Sequence, residues 1–95
     1  MTPTHSILAA IGVTLAELRE RNRHKTRADQ RRLAYVLLNR HGGMTVQEIA
    51  TLLHRARPTV YYGIASWDQN YAVDRHVRAM THAAMSKLNL IPIAA

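Results

Sequence analysis

Cysteine is absent from the 95 residues, which excludes a disulfide framework, a thiolate zinc site and a cysteine nucleophile. No apolar run approaches the roughly 18 residues of a membrane span. The chain does not open with a basic segment followed by an apolar one, so no secretory leader is expected and a cytoplasmic setting is the default. Acidic residues are few, and the six that exist are spread out, with no evident carboxylate pair for acid–base work. No serine stands in a nucleophile elbow, and Gly42-Gly43 lacks the Gly-Lys-Ser/Thr of a phosphate loop. The six histidines contain no pair at i, i+3 or i+4 spacing, the arrangement one helix face needs to ligate a metal. An enzyme is not expected, nor a metal, another cofactor or a small-molecule substrate. Internal repeats, sustained strand-like alternation and low-complexity sequence are missing too.

Positive charge is what the chain does have. The formal net charge is +7, and seven of the thirteen cationic residues (Arg19, Arg21, Arg23, Lys25, Arg27, Arg31 and Arg32) fall within fourteen positions, offset only by Glu20 and Asp29. Charge gathered this densely repels itself, and a polyanion relieves the repulsion while releasing its own counterions. Placement therefore favours a nucleic-acid partner over a merely solvated basic face.

The apolar pattern is helical throughout and predicts one all-α domain over 1–95, a small bundle of about six helices. Thr2-Pro3 opens the first, with Ile7, Leu8 and Ile11 on its apolar face and Gly12 as its stop. Thr14 caps a short second helix, Glu17 completing a capping box and Leu15 and Leu18 pointing inward. A basic loop is expected over 19–26. Thr26 then caps a long helix over 27–41, with Asp29 in its first turn and Leu33, Ala34, Leu37, Leu38 and His41 facing the core. Tyr35 is expected to be buried with its hydroxyl at the rim. A last helix over 74–88, capped by Asp74, has Val77, Met80, Ala84 and Leu88 on one side. That side suits either internal packing or a second copy of the chain. Met44, Met80 and Met85 read as core filler.

Residues 45–67 carry the most informative pattern. Thr45 and Glu48 form a second capping box, and Ile49, Leu52 and Leu53 share a face. Pro58 fits the first turn of the following helix, where its missing amide proton leaves nothing unpaired. Val60, Ile64 and Trp67 mark that helix's buried side, and Asp68-Gln69-Asn70 reads as its polar exit. Arg55, Ala56, Arg57, Thr59 and Tyr62 stay exposed at its N-terminal end, as in a helix that enters a DNA groove. Of Tyr61 and Tyr62, adjacent on a helix and so about 100° apart, one is expected to pack and the other to face outward. Ala50 supplies the small residue a helix-turn-helix wants in its first helix, whereas His54 and Arg55 stand where the turn prefers glycine and an apolar residue.

Taken together, Arg31-Arg32-Leu33-Ala34-Tyr35-Val36-Leu37, Thr45-Val46-Gln47-Glu48-Ile49-Ala50 and Arg55-Ala56-Arg57-Pro58-Thr59-Val60 resemble the C-terminal DNA-binding domain of the bacterial replication initiator DnaA, a Trp-repressor-like helix-turn-helix. The similarity covers about residues 4–88 and keeps the spacing of all three segments. It implies double-stranded DNA as partner, with Arg23 in the minor groove. It also implies phosphate contacts from Lys25, Arg31, Arg55, Thr59 and Tyr62, and base reading from the positions of Ala56, Arg57 and Pro58. The initiator has Asp-His-Thr at those three positions, so a different box is implied, with guanine favoured wherever Arg57 meets a base edge. The initiator's nucleotide-hydrolysing domain is not expected here. Control of replication or transcription, or genome packaging, in a bacterial nucleoid or a phage-infected cell, fits such a freestanding reader. The rival expectation is a protein-interaction adaptor that kept the fold and lost DNA reading.

Overall fold

Thr14 and Thr45 each start a helix by the same device. In each case the threonine hydroxyl accepts the amide of the residue three on, and that residue's glutamate accepts the threonine amide, at 2.9–3.1 Å. The computed structural model describes residues 3–21 and 24–89. Within them lie six helices and no strand: α1 (Pro3–Ile11), α2 (Leu15–Arg19), α3 (Lys25–Arg40), α4 (Val46–Leu52), α5 (Arg57–Val73) and α6 (Arg75–Lys87). The helices form a small all-α bundle of 31 × 30 × 22 Å. No helix among the described residues is long and apolar enough to cross a membrane.

Helix α3 is the hub. Helices α1, α2, α4 and α5 all pack on it, and α6 closes the far side against α1 and α5. Leu33, Leu37 and Leu38 of α3 are buried with Leu18, Ile49, Leu53, Val60, Trp67 and Met85 in one continuous core. Truncating any one of these leucines to alanine removes transfer energy and leaves a cavity, an expected loss of about 2–5 kcal/mol. Trp67 Nε1 donates to Thr81 Oγ1 at 2.9 Å, and Thr81 Oγ1 donates to the Val77 carbonyl at 2.8 Å. That short chain satisfies the two buried polar groups joining α5 to α6.

Four expectations are corrected. Helix α3 starts at Lys25 rather than 27, with His24 as N-cap and no side-chain cap bond, so Thr26 lies inside the helix. The two added residues include Lys25, whose ammonium is tied to Asp29 one turn on, and Arg27 joins the helix start to α2 through Glu17 at 3.0 Å and to Gln30 at 2.9 Å. Asp29 is consequently past the first turn. It is buried, with Lys25 Nζ on its carboxylate at 2.9 Å and Arg32 at 3.7 Å. Asp68-Gln69-Asn70 is not an exit, because α5 runs on to Val73. Tyr71 continues the stripe of Val60, Ile64 and Trp67 against the core, and Asp68 takes both guanidinium ends of Arg40, with Nη1 to Oδ1 at 2.8 Å. Finally, Tyr61 and Tyr62 are both exposed, at 56% and 78%. The inward slot between Val60 and Ile64 belongs to Gly63, which is buried. Thr2 and Pro92 lie outside the described residues.

Candidate nucleic-acid interface

The turn between α4 and α5 solves a problem that its sequence poses. Leu53 caps α4, and His54 follows with φ +55°, the left-handed conformation that glycine usually supplies at this point. The Arg55 amide then returns to the Ala50 carbonyl at 2.9 Å, completing the wrap of the chain around the end of α4. Ala56 is the N-cap of α5 and Pro58 lies in its first turn. The helix-turn-helix forms, with histidine in the glycine position.

The outer side of α5 is open at its N-terminal half. Ala56, Arg57, Pro58, Thr59, Tyr61 and Tyr62 are exposed, and only Val60 and Gly63 turn inward. Beside this face lies a cleft of about 370 Å³ between α3 and α5, lined by Arg31, Arg32, Tyr35, Arg55, Thr59 and Tyr62 among others. Among the described residues no carboxylate lines it. Five of the residues expected from sequence, Arg31, Arg55, Pro58, Thr59 and Tyr62, therefore meet around one basic hollow.

Four lining residues, Ala28, Arg32, Tyr35 and Gly63, were not expected from sequence as members of the site. Ala28, Arg31, Arg32 and Tyr35 recur at i, i+3, i+4, i+7 along α3, which puts them on one helix face. Arg32 and Tyr35 were legible as neighbours of Arg31 by that spacing alone. Tyr35 is 2% exposed, and burial raises its pKa while the facing guanidinium groups of Arg55, Arg31 and Arg32 pull it the other way. Burial lowers the Arg31 pKa from its usual value, and the like charge of Arg55 adds to this. A hollow in which cations are crowded and partly desolvated favours an anion.

The expected phosphate contacts are not equivalent. Thr59 and Tyr62 are exposed and face the cleft. Lys25 is exposed too, but its ammonium rests on Asp29. Arg31 and Arg55 are turned partly inward. Arg31 donates to the Leu18 and Glu20 carbonyls, each at 3.0 Å, and Arg55 Nη2 donates to the Glu20 carbonyl at 2.6 Å. These two arginines have structural partners that the sequence reading did not foresee. Arg23, expected in the minor groove, lies outside the described residues.

Among the described residues no group of three or more histidine, aspartate or glutamate side chains is placed to hold a metal ion. No protein-family model matches the chain, and no curated protein matches it.

Proposed function

We propose that the protein binds double-stranded DNA by laying the N-terminal half of α5 in the major groove. The observation that carries this reading is the cleft, lined by no carboxylate among the described residues, beside an open helix face that presents Arg57, Thr59 and Tyr62. A major groove about 12 Å wide admits one helix, and the side chains at that helix's N-terminal end meet the base edges. In this arrangement Thr59, Tyr62 and Arg32 hold the sugar–phosphate backbone, and Arg57 is the residue able to read a base. The resemblance to the initiator's C-terminal domain extends the contact to Arg23 in the adjoining minor groove, where an arginine reads groove width and A·T content. Control of replication or transcription follows from the same resemblance.

The test is the salt dependence of duplex binding by the whole chain. Arg23, Lys25, Arg32 and Arg57 as cationic contacts predict that log affinity falls with log salt at a slope of about −3 to −4. A salt-independent interaction, or no duplex binding at low salt, rejects the proposal. The adaptor reading predicts instead that replacing Arg23 and Lys25 with alanine leaves function intact.

A further inference from the structure

We propose that Arg55 is a positioning residue for DNA binding, one that ties the C-terminal end of α2 to the C-terminal end of α4 and so sets the point at which the chain leaves α2 relative to α5. This inference rests on the duplex-binding reading above, and it replaces the expectation that Arg55 is simply a phosphate contact.

Each helix ends with carbonyls that have no partner within the helix, and these ends carry the negative pole of the helix dipole. The ends of α2 and α4 converge on the Arg55 guanidinium. Its Nη2 donates to the Glu20 carbonyl at 2.6 Å and to that of Leu18 at 3.4 Å. Nη1 meets the His54 carbonyl at 3.2 Å and the Leu53 carbonyl at 3.4 Å at the end of α4, and also the Arg19 carbonyl of α2 at 3.5 Å, so that it spans the two ends. Two neighbours reinforce the knot. Arg31, from α3, donates to the same Leu18 and Glu20 carbonyls. Arg19, from α2, donates through Nε to the Leu52 carbonyl at 2.9 Å, crossing in the opposite direction. Arginines from α2, α3 and the α4–α5 turn thus bind one cluster of carbonyls.

The location gives the knot its consequence. Glu20 is where the chain leaves α2 for the basic loop, and His54 is two residues ahead of the N-cap of α5. Fixing one to the other fixes the loop's departure point against the helix proposed to enter the groove. Contact with two grooves of one duplex requires such a fixed offset, because backbone contacts position the protein only when the contacting elements keep a constant geometry.

Arginine and lysine separate the two roles. A phosphate contact needs a cation, which lysine also provides. A bridge between two sets of carbonyls needs the planar, multi-donor fork, which a lysine ammonium does not reproduce. The experiment compares the parent, Arg55→Lys, Arg55→Ala and Arg57→Ala, each as the whole chain, by anisotropy titration of a fluorescein-labelled duplex over a range of KCl. Amide hydrogen exchange is measured on the free proteins. The expected result is that Arg55→Lys weakens binding by about tenfold, close to Arg55→Ala, with the salt slope of the parent. Exchange accelerates together in segments 18–21 and 52–56, and Arg57→Ala leaves it unchanged. Parent-like binding by Arg55→Lys overturns the proposal. So does a slope reduced by about one in Arg55→Ala with exchange unaltered, the signature of a lost phosphate contact. If the parent binds no duplex, the DNA reading fails by itself. Exchange in Arg55→Lys then decides the clamp: acceleration in both segments upholds the link, and acceleration in 52–56 alone overturns it.

Discussion

A methyl group on Gly63 would come within 2.6 Å of Tyr35 Cδ2 and 2.8 Å of Cε2. Helices α3 and α5 are therefore in close contact at the cleft, and the absence of a side chain at Gly63 is what allows Thr59 and Tyr62 to line the same hollow as Arg31 and Arg32. Alanine improves helix propensity by up to about 1 kcal/mol over glycine. Here it meets the ring of Tyr35, which is 2% exposed, at distances that force the ring or the helix to shift. Overpacking of this kind costs about 1–3 kcal/mol, so Gly63→Ala is expected to be destabilising on balance. Urea unfolding monitored by circular dichroism checks this, and an unchanged or higher midpoint would count against the close crossing.

His54 invites the opposite substitution. Its φ of +55° places a β-carbon in a conformation that costs an L-residue roughly 1–2 kcal/mol. His54→Gly is expected to raise stability by about 0.5–1 kcal/mol, because glycine relieves that strain but gains more freedom when unfolded. The side chain is exposed, so little packing is lost. A lower urea midpoint in the variant would show that the imidazole has a partner of its own.

Arg57 separates specific from general binding. If it meets a guanine edge, Arg57→Ala costs about 1–3 kcal/mol on the preferred duplex and little on others. Selecting binding sites from random duplexes with the parent, then titrating the variant on the winner and on a scrambled sequence, makes the comparison. Equal losses on both would make Arg57 a backbone contact.

Acid should loosen the helix starts before the core. Glu48 has its pKa lowered from 4.5 by hydrogen bonds from the Thr45 amide and hydroxyl, and Glu17 likewise by Thr14, with Arg27 adding to the effect. A carboxylate whose folded pKa is depressed stabilises the fold fully above its unfolded pKa and loses that contribution as pH falls through the folded value. Urea midpoints of the parent should therefore decline on acidification from pH 4.5 downward. The Glu17→Gln, Glu48→Gln double variant should decline less steeply over that window. Parallel pH profiles would exclude the capping boxes as a source of acid sensitivity.

Local rules reached some parts of this molecule and not others. Both capping boxes, the Asp74 cap and the stripe of Leu33, Leu37 and Leu38 depend on residues three or four apart, and spacing alone revealed them. The N-terminus of α3 did not follow the same rule: Thr26, a good cap by residue type, lies inside the helix, whose first residue, Lys25, is tied to buried Asp29. The length of α5 was hidden too. Asp68 looks like an exit residue until Arg40, 28 positions earlier, is brought against it. Around the candidate site, the exposure of Arg57, Thr59 and Tyr62 was readable from their place at a helix start. The roles of Arg31 and Arg55 were not, since an arginine's preference for a carbonyl or a phosphate depends on which helix ends the fold gathers around it.

The hydrogen bond from Trp67 to Thr81 also gives the protein a built-in optical probe. Trp67 is the chain's single tryptophan, and its indole sits at the seam between α5 and α6 and is not among the residues that line the basic cleft. Its emission should shift to the red when that seam opens. Duplex docking, which leaves the seam shut, should barely alter it, so one cuvette can distinguish a protein that has melted from one that has merely lost its grip.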